Sequence, residues 1–306
     1  MSTSGDESGA PHRATAGGKS PAVLPGAESR WPAPAKLNLF LHVTGRRPDG
    51  FHDLQTVFQL IDLCDEIGIT LRTDGQVERI AGPTDIPAET DLIVRAARAL
   101  QAATATKLGA SLRARKRIPL GGGLGGGSSD AATTLIALNH LWGCDLPLPR
   151  LAEIGLTLGS DVPVFVHGSS AWAEGRGEVL TPVELPEQWY AVIHPRVHVP
   201  TPAIFQAPEL TRNSPLITIR AFFQTGGRND CESVVRTRFP EVAEALDWLS
   251  RFAPARLTGT GACVFAAFAR AIDAERVAAK VADRWTAFVA RGLNTSPVHE
   301  RLILSQ

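Results

Sequence analysis

The sequence predicts an α+β fold in two parts, and three features of it do so. Runs of apolar–polar alternation fill the first half, helical periodicity recurs among them at uneven intervals, and the proline-rich "HPRVHVPTP" precedes a half in which helices concentrate. The elements do not alternate regularly enough for a doubly wound parallel sheet. With 306 residues, 44% hydrophobic and 20% charged, the chain can build a large core or two domains. The expected division is an extension over 1–29, an N-terminal domain over 30–185 and a C-terminal domain over 186–306.

The extension is rich in Ser, Gly, Ala and Pro without apolar periodicity, which predicts disorder. It lacks the apolar stretch of a signal peptide, and Asp6, Glu7 and Glu28 are unlike a transit peptide. "KLNLFLHV" then alternates, so Leu37, Leu39, Leu41 and Val43 share one strand face and Lys36, Asn38, Phe40 and His42 the other. Strands follow in "TVFQLIDL" and "DEIGITLR". "DLIVRAARALQAA" reads as a helix starting near Thr90 or Asp91, and "GASLRARKRIPL" as a strand entering a glycine run. Further helices are expected in "PRLAEIGLTLG", "PEVAEALDWLSRF" and "DAERVAAKVADRWTAFVARG". Further strands are expected in "SSAWAEG", "WYAVIHP", "ARLTGTG" and "CVFAAF", and an apolar strand after Asp161.

Lys+Arg and Asp+Glu both number 31, so nothing marks a basic nucleic-acid binder. No apolar run reaches the ~18 residues of a membrane span. Cys64, Cys144, Cys231 and Cys263 are scattered, which argues against a zinc site or a disulfide framework and points to the cytoplasm.

The stretch "PLGGGLGGGSSDAA" places six glycines in seven residues between a strand signal and a helix signal. Glycine lets backbone amides approach a ligand closely, and a helix start adds unpaired N–H groups, so the pair predicts a phosphate site. Ser128 or Ser129 is the expected first helical position. No lysine follows the last glycine, so the Walker pattern fails. Gly121, Gly123 and Gly126 match G-x-G-x-x-G, but without a βαβ context. Valine at Gly123 or Gly126 is expected to impair nucleotide binding more than folding.

This stretch resembles the second motif of the GHMP kinase superfamily. "PAPAKLNLFLHVTGRRPDGFHDLQTVFQ" resembles its N-terminal motif and "RLTGTGACVFAAF" its C-terminal glycine motif, in the same order. The resemblance runs from about Trp31 to the C-terminus. It implies a two-domain fold with the active site in the cleft between an N-terminal nucleotide-binding domain and a C-terminal α/β domain. It implies ATP bound by Pro119, Leu120, Gly121, Gly122, Gly123, Leu124, Gly125, Gly126, Gly127, Ser128 and Ser129, with Mg²⁺ whose ligands stay unassigned. It implies catalytic roles for Lys36 and Asp161, and substrate contacts from Asn38 and from Thr258, Gly259, Thr260 and Gly261.

"GFHDLQTVF" and "HVPTPAIF" favour the branch that phosphorylates the 2-hydroxyl of a cytidine-diphosphate-linked methylerythritol in non-mevalonate isoprenoid synthesis. They supply Phe51 and Phe205 to sandwich a flat base and His52 to read its edge. A different small-molecule kinase of the superfamily, or a nucleotide-binding protein without catalysis, remains the alternative. So do monomer and homodimer.

Chemistry supports the two catalytic positions independently. Phosphoryl transfer needs positioning, charge stabilisation and a base for the acceptor hydroxyl. Asp161 in "LGSDVPVFV" sits among apolar residues, where an ion needs a partner, and Lys36 is a candidate. Three departures from the superfamily pattern stand out: Phe51 where Tyr is usual, Asp91 for Asn, and Asp130 for Asn in "SSN". Asp130 is expected to add negative charge near the phosphates, unless it interacts with Mg²⁺ or with the helix N-terminus. Because the extension has no composition for a core, a chain beginning near Ser29 is expected to keep full activity and melting temperature, checked by assay and thermal melt.

Overall fold

The computed structural model describes residues 26–281 and 284–304. Residues 1–25 of the expected extension lie outside that range. The long strands β1 (Ser29–Arg46) and β2 (His52–Arg72) form an antiparallel pair. The two strands expected in "TVFQLIDL" and "DEIGITLR" are one, because β1 pairs along almost its whole length.

The sheet continues through β3 (Val77–Ala81), β4 (Gly109–Arg115), β5 (Ala171–Glu174), β6 (Val179–Pro182), β7 (Trp189–His194), β8 (Ala255–Leu257), β9 (Val264–Phe268) and β10 (Thr286–Leu293). Its main order is β3-β4-β2-β10-β7-β9-β8, with β1 and β5 also paired to β2. Only β3 and β4 run parallel among these pairs. The α+β class read from the sequence is the class observed.

Four helices, α1 (Leu92–Thr104), α2 (Gly126–Leu141), α3 (Leu148–Leu156) and α4 (Val162–His167), bury apolar side chains with the β1–β2–β4 sheet. Two short helices, α5 (Thr201–Phe205) and α6 (Ile219–Thr225), follow. A second core joins α7 (Glu232–Arg238), α8 (Pro240–Leu249) and α9 (Ala271–Ala278) to β7, β8 and β9. Leu41 and Val43 of β1 belong to that second core, so one strand serves both halves. The last helix, α10 (Pro297–Leu304), crosses back: Val298 is buried in the first core and His299 Nε2 lies 3.0 Å from the Val166 carbonyl.

Two expectations fail for tertiary reasons. The helix predicted through "DAERVAAKVADRWTAFVARG" stops at Ala278, and Thr286–Leu293 is a strand captured between β7 and β2. The apolar strand expected after Asp161 is α4, with Pro163 in its first turn and all residues from Val162 to Val166 buried. The regular alternation of β1 also breaks. Asn38 pairs with Phe58 but Leu41 pairs with Thr56, so the strand carries an extra residue there. Lys36 and Asn38 keep their common face, while Leu41 now lines the same cleft as both.

Candidate active site

The glycine run is the hinge of the site. Helix α2 begins at Gly126, with Gly125 in the left-handed N-cap position at φ 72°, two residues earlier than the serines expected to start it. Its first internal bond is Ser129 N–H to the Gly125 carbonyl, so the amides of Gly126, Gly127 and Ser128 have no acceptor within the helix. Gly123, Gly125 and Ser128 line a cleft of about 500 Å³. Gly122, Leu124 and Ser129 are buried, and Leu120 and Gly121 are exposed.

Most of these glycines are demanded by packing. A Cβ at Gly123 (φ +75°) would stand 2.3 Å from the Thr258 carbonyl oxygen, and one at Gly122 2.7 Å from Cys263 Sγ. The amides of Ala262 and Cys263 donate to the carbonyls of Gly121 and Gly122. The two glycine segments therefore interlock backbone to backbone. A Cβ at Gly126 would stand 3.0 Å from the Ile118 side chain. Valine at Gly123 or Gly126 would therefore meet the protein's own atoms as well as any ligand, so a cost in folding accompanies the expected loss of nucleotide binding.

Lys36 is 3% exposed. Its backbone amide donates to the Leu124 carbonyl, and its Nζ donates to Asn38 Oδ1 at 2.6 Å and to the Gly123 carbonyl at 3.0 Å. Asp161 Oδ2 lies 3.4 Å from the same Nζ. Gly125 leaves room for the lysine stem, since a Cβ there would come 3.2 Å from Lys36 Cε. Asp161 occupies the N-cap position of α4 without capping it, and its side chain stays about one-third exposed to the cleft. Asn38 is held at both ends: its amide N–H donates to Thr258 Oγ1 at 3.0 Å and its side chain to Thr56 Oγ1 at 2.9 Å. Gly259 and Thr260 line the cleft, and Asn229 Nδ2 donates to the carbonyls of Leu257 and Gly259.

The other end of the cleft is aromatic. Phe51, His52 and Phe205 all line it. His52 stacks on Phe205 with centroids 5.2 Å apart and planes 24° apart. Its Nε2 accepts from Arg212 Nε at 3.1 Å, which leaves the ring proton on Nδ1. Burial first, then the Arg212 charge, hold this imidazole below its ordinary pKa. Phe51 is half exposed, with the Arg176 guanidinium 4.8 Å from its centroid.

Sequence reasoning missed Thr56, Arg176, Arg212 and Asn229. Only Arg176, in the glycine-flanked turn "EGRGE", carried a local signal. Asp91 is not free for a ligand: it N-caps α1 through the Ile93 amide and pairs with Arg79 at 2.6 Å. Asp130 faces away from the cleft, buried against Lys116.

Comparison with known proteins follows the same outline. The model of the GHMP kinases N terminal domain matches residues 91–169, and that of the GHMP kinases C terminal domain residues 209–287. The chain is 55% identical over 277 residues to a 4-diphosphocytidyl-2-C-methyl-D-erythritol kinase of Chromohalobacter salexigens, covering 89% of this chain and 93% of that protein. It is 56% identical to the enzyme of that name from Ectopseudomonas mendocina, covering 90% and 95%. A crystal structure of 4-(cytidine 5'-diphospho)-2C-methyl-D-erythritol kinase superposes with a TM-score of 0.77 at 32% identity, over 86% of this chain and 99% of that one. A homoserine kinase from Cytophaga hutchinsonii, at 16% identity and a TM-score of 0.66, shares the fold.

The interlock separates two kinds of glycine. Gly123→Ala is expected to lower stability by at least about 1–2 kcal/mol from its left-handed backbone alone, more with the clash. Gly127→Ala, whose Cβ would meet only Leu92 at 3.3 Å, is expected to melt near the parent temperature. Thermal melts of the two variants check this.

Proposed function

The chain belongs to the GHMP kinase family, and from that premise we propose that it transfers the γ-phosphoryl group of ATP to the 2-hydroxyl of 4-diphosphocytidyl-2-C-methyl-D-erythritol. The observation that carries the mechanism is the Lys36–Asp161 pair, 3.4 Å apart on the floor of a cleft that the glycine run also lines. Asp161 takes the proton of the acceptor hydroxyl as the oxygen attacks phosphorus. Lys36 steadies the negative charge that develops on the acceptor oxygen. Asn38 and the buried Thr258 hold Lys36 and the loop in register.

The glycine loop and the free amides at the start of α2 receive the phosphates of ATP. The two halves, 30–185 and 186–306, divide the labour, the first supplying the loop, Lys36 and Asp161, the second Thr258–Gly261 and Phe205. Mg²⁺ enters as part of the nucleotide substrate. Among the described residues no cluster of three His, Cys, Asp or Glu could hold a resident ion, and the cleft's one carboxylate is Asp161.

The cytosine end follows from the aromatic geometry. With His52 covering one face of Phe205, the base stacks on Phe51 or on the exposed part of the His52–Phe205 pair. The His52 Nδ1–H is a donor suited to the acceptor edge of cytosine. We place the protein in the cytoplasm, in keeping with its free cysteines; no helix among the described residues is long and apolar enough to cross a membrane.

The test is turnover with ATP, Mg²⁺ and the cytidine-linked alcohol, with the product identified by mass. Asp161→Asn is expected to lower kcat by about 10²–10⁴ with much smaller changes in KM. Lys36→Met also slows turnover, and the double variant loses less than the product of the two. Multiplicative losses would show that the residues act separately. Phe51→Ala is expected to raise KM for the cytidine substrate with little change in melting temperature, since this ring is half exposed. An unchanged KM would remove it from the site.

A further inference from the structure

Beneath the glycine loop lies a charged cluster that the reaction does not use. Lys116, just past β4, places its ammonium between Asp65 of β2 and Asp130 in the second turn of α2, in hydrogen-bonding contact with both. The two carboxyl side chains are 0% and 7% exposed. The second oxygen of Asp65 accepts the amides of Arg117 at 2.5 Å and Ile118 at 2.9 Å, which lead into the loop. Asp65 also underlies the loop's exit, 3.5 Å from where a Gly126 Cβ would stand. One buried group thus ties the entry of the loop to the start of α2.

The charges of the cluster do not balance: one ammonium meets two carboxyls. Asp130 Oδ1 is buried without a hydrogen-bond partner, and the Asp130 and Asp65 carboxyls meet on the same ammonium. Two buried carboxyls crowded on one ammonium disfavour each other's charge, and the one with less compensation keeps its proton. Asp65 has two amides and the ammonium to stabilise its charge, whereas Asp130 has the ammonium alone, so the proton belongs to Asp130.

We propose that Lys116, Asp65 and Asp130 are positioning residues for the nucleotide loop, that Asp130 works there as a neutral carboxylic acid, and that loss of its proton weakens nucleotide binding. The inference rests on reading the loop as the ATP site. Burial, then Asp65, raise the Asp130 carboxyl, with Lys116 opposing, to about 7. Burial lowers Lys116, but Asp130 and Asp65 outweigh it and leave it above its ordinary value, so the ammonium stays charged throughout. Above neutrality the cluster therefore carries a net negative charge under amides that must receive phosphate. Because the folded-state pKa of Asp130 lies above its unfolded value, the associated stability is full in acid and is lost as pH rises toward about 7.

The experiment is calorimetric titration of a non-hydrolysable ATP analogue into the full chain and into Asp130→Asn, from mildly acidic to mildly alkaline pH, with thermal melts alongside. Titration of the analogue itself cancels in the ratio of the two affinities. The parent protein is expected to lose several-fold in affinity relative to Asp130→Asn as pH rises through neutrality, and to lose melting temperature relative to it as pH rises toward about 7, with no further relative loss above that. Parallel pH profiles would overturn the proposal. Lys116→Met is expected to weaken the analogue at every pH while leaving KM for the acceptor alcohol nearly unchanged. A folded Lys116→Met with parental affinity would also overturn it, and if that variant does not fold, the Asp130→Asn comparison decides. Analogue binding needs no acceptor, so failure to phosphorylate the cytidine-linked alcohol would refute the substrate assignment and leave this inference standing.

Discussion

An ammonium group with 3% of its residue exposed must find compensation inside the protein, and Lys36 finds it from three directions. Asn38 answers it from the same strand, the Gly123 carbonyl from the loop 87 residues on, and Asp161 from the start of α4. Because each partner comes from a different segment, satisfying one charge brings strand, loop and helix to a point. The point is reinforced through the backbone, where Lys36 donates to Leu124 and Asn38 to Thr258. Gly125 and the ring of Phe58, whose centroid lies 5.3 Å from Nζ, shape the space the lysine occupies.

The glycine motif carries two messages that look alike in one dimension. A phosphate cradle and a close backbone crossing both require the absence of a side chain. At Gly122 and Gly123 the neighbour is the segment Thr258–Cys263, so the glycines allow the two halves to meet before they allow a ligand to enter. The C-terminal run "LTGTGAC" is the counterpart: its Gly259 and Gly261 take positive φ so that the crossing can be made from its side too.

The legibility of the rest divides along similar lines. Lys36 and Asn38 were readable as neighbours because strand period holds up to the bulge that follows them; Leu41, beyond it, was not. Asp161 was readable as a charge in need of a partner, since its surroundings in sequence are its surroundings in space. The surroundings of Asp130 were not readable, because Lys116 comes from just past β4 and brings Asp65 of β2 onto the same ammonium. The aromatic trio lines one cleft, yet His52 within it stacks on Phe205 and accepts from Arg212, which lies 160 residues away. The alanine-rich stretch after Ala278 favours helix on its own and becomes strand only because β7 and β2 leave a slot between them.

That slot, and the helix after it, have a temporal meaning. β10 joins β2, and α10 lays Val298 into the core built by the first half of the chain. A polypeptide is made from its N-terminus, and domains tend to fold as they emerge. Here the first half waits: its sheet lacks a strand until Thr286–Leu293 has been synthesised, and its core lacks a side chain until Val298 has. Loss of β10 and α10 would leave a hole in the oldest part of the molecule, so assembly of the first half is coupled to synthesis of those two elements.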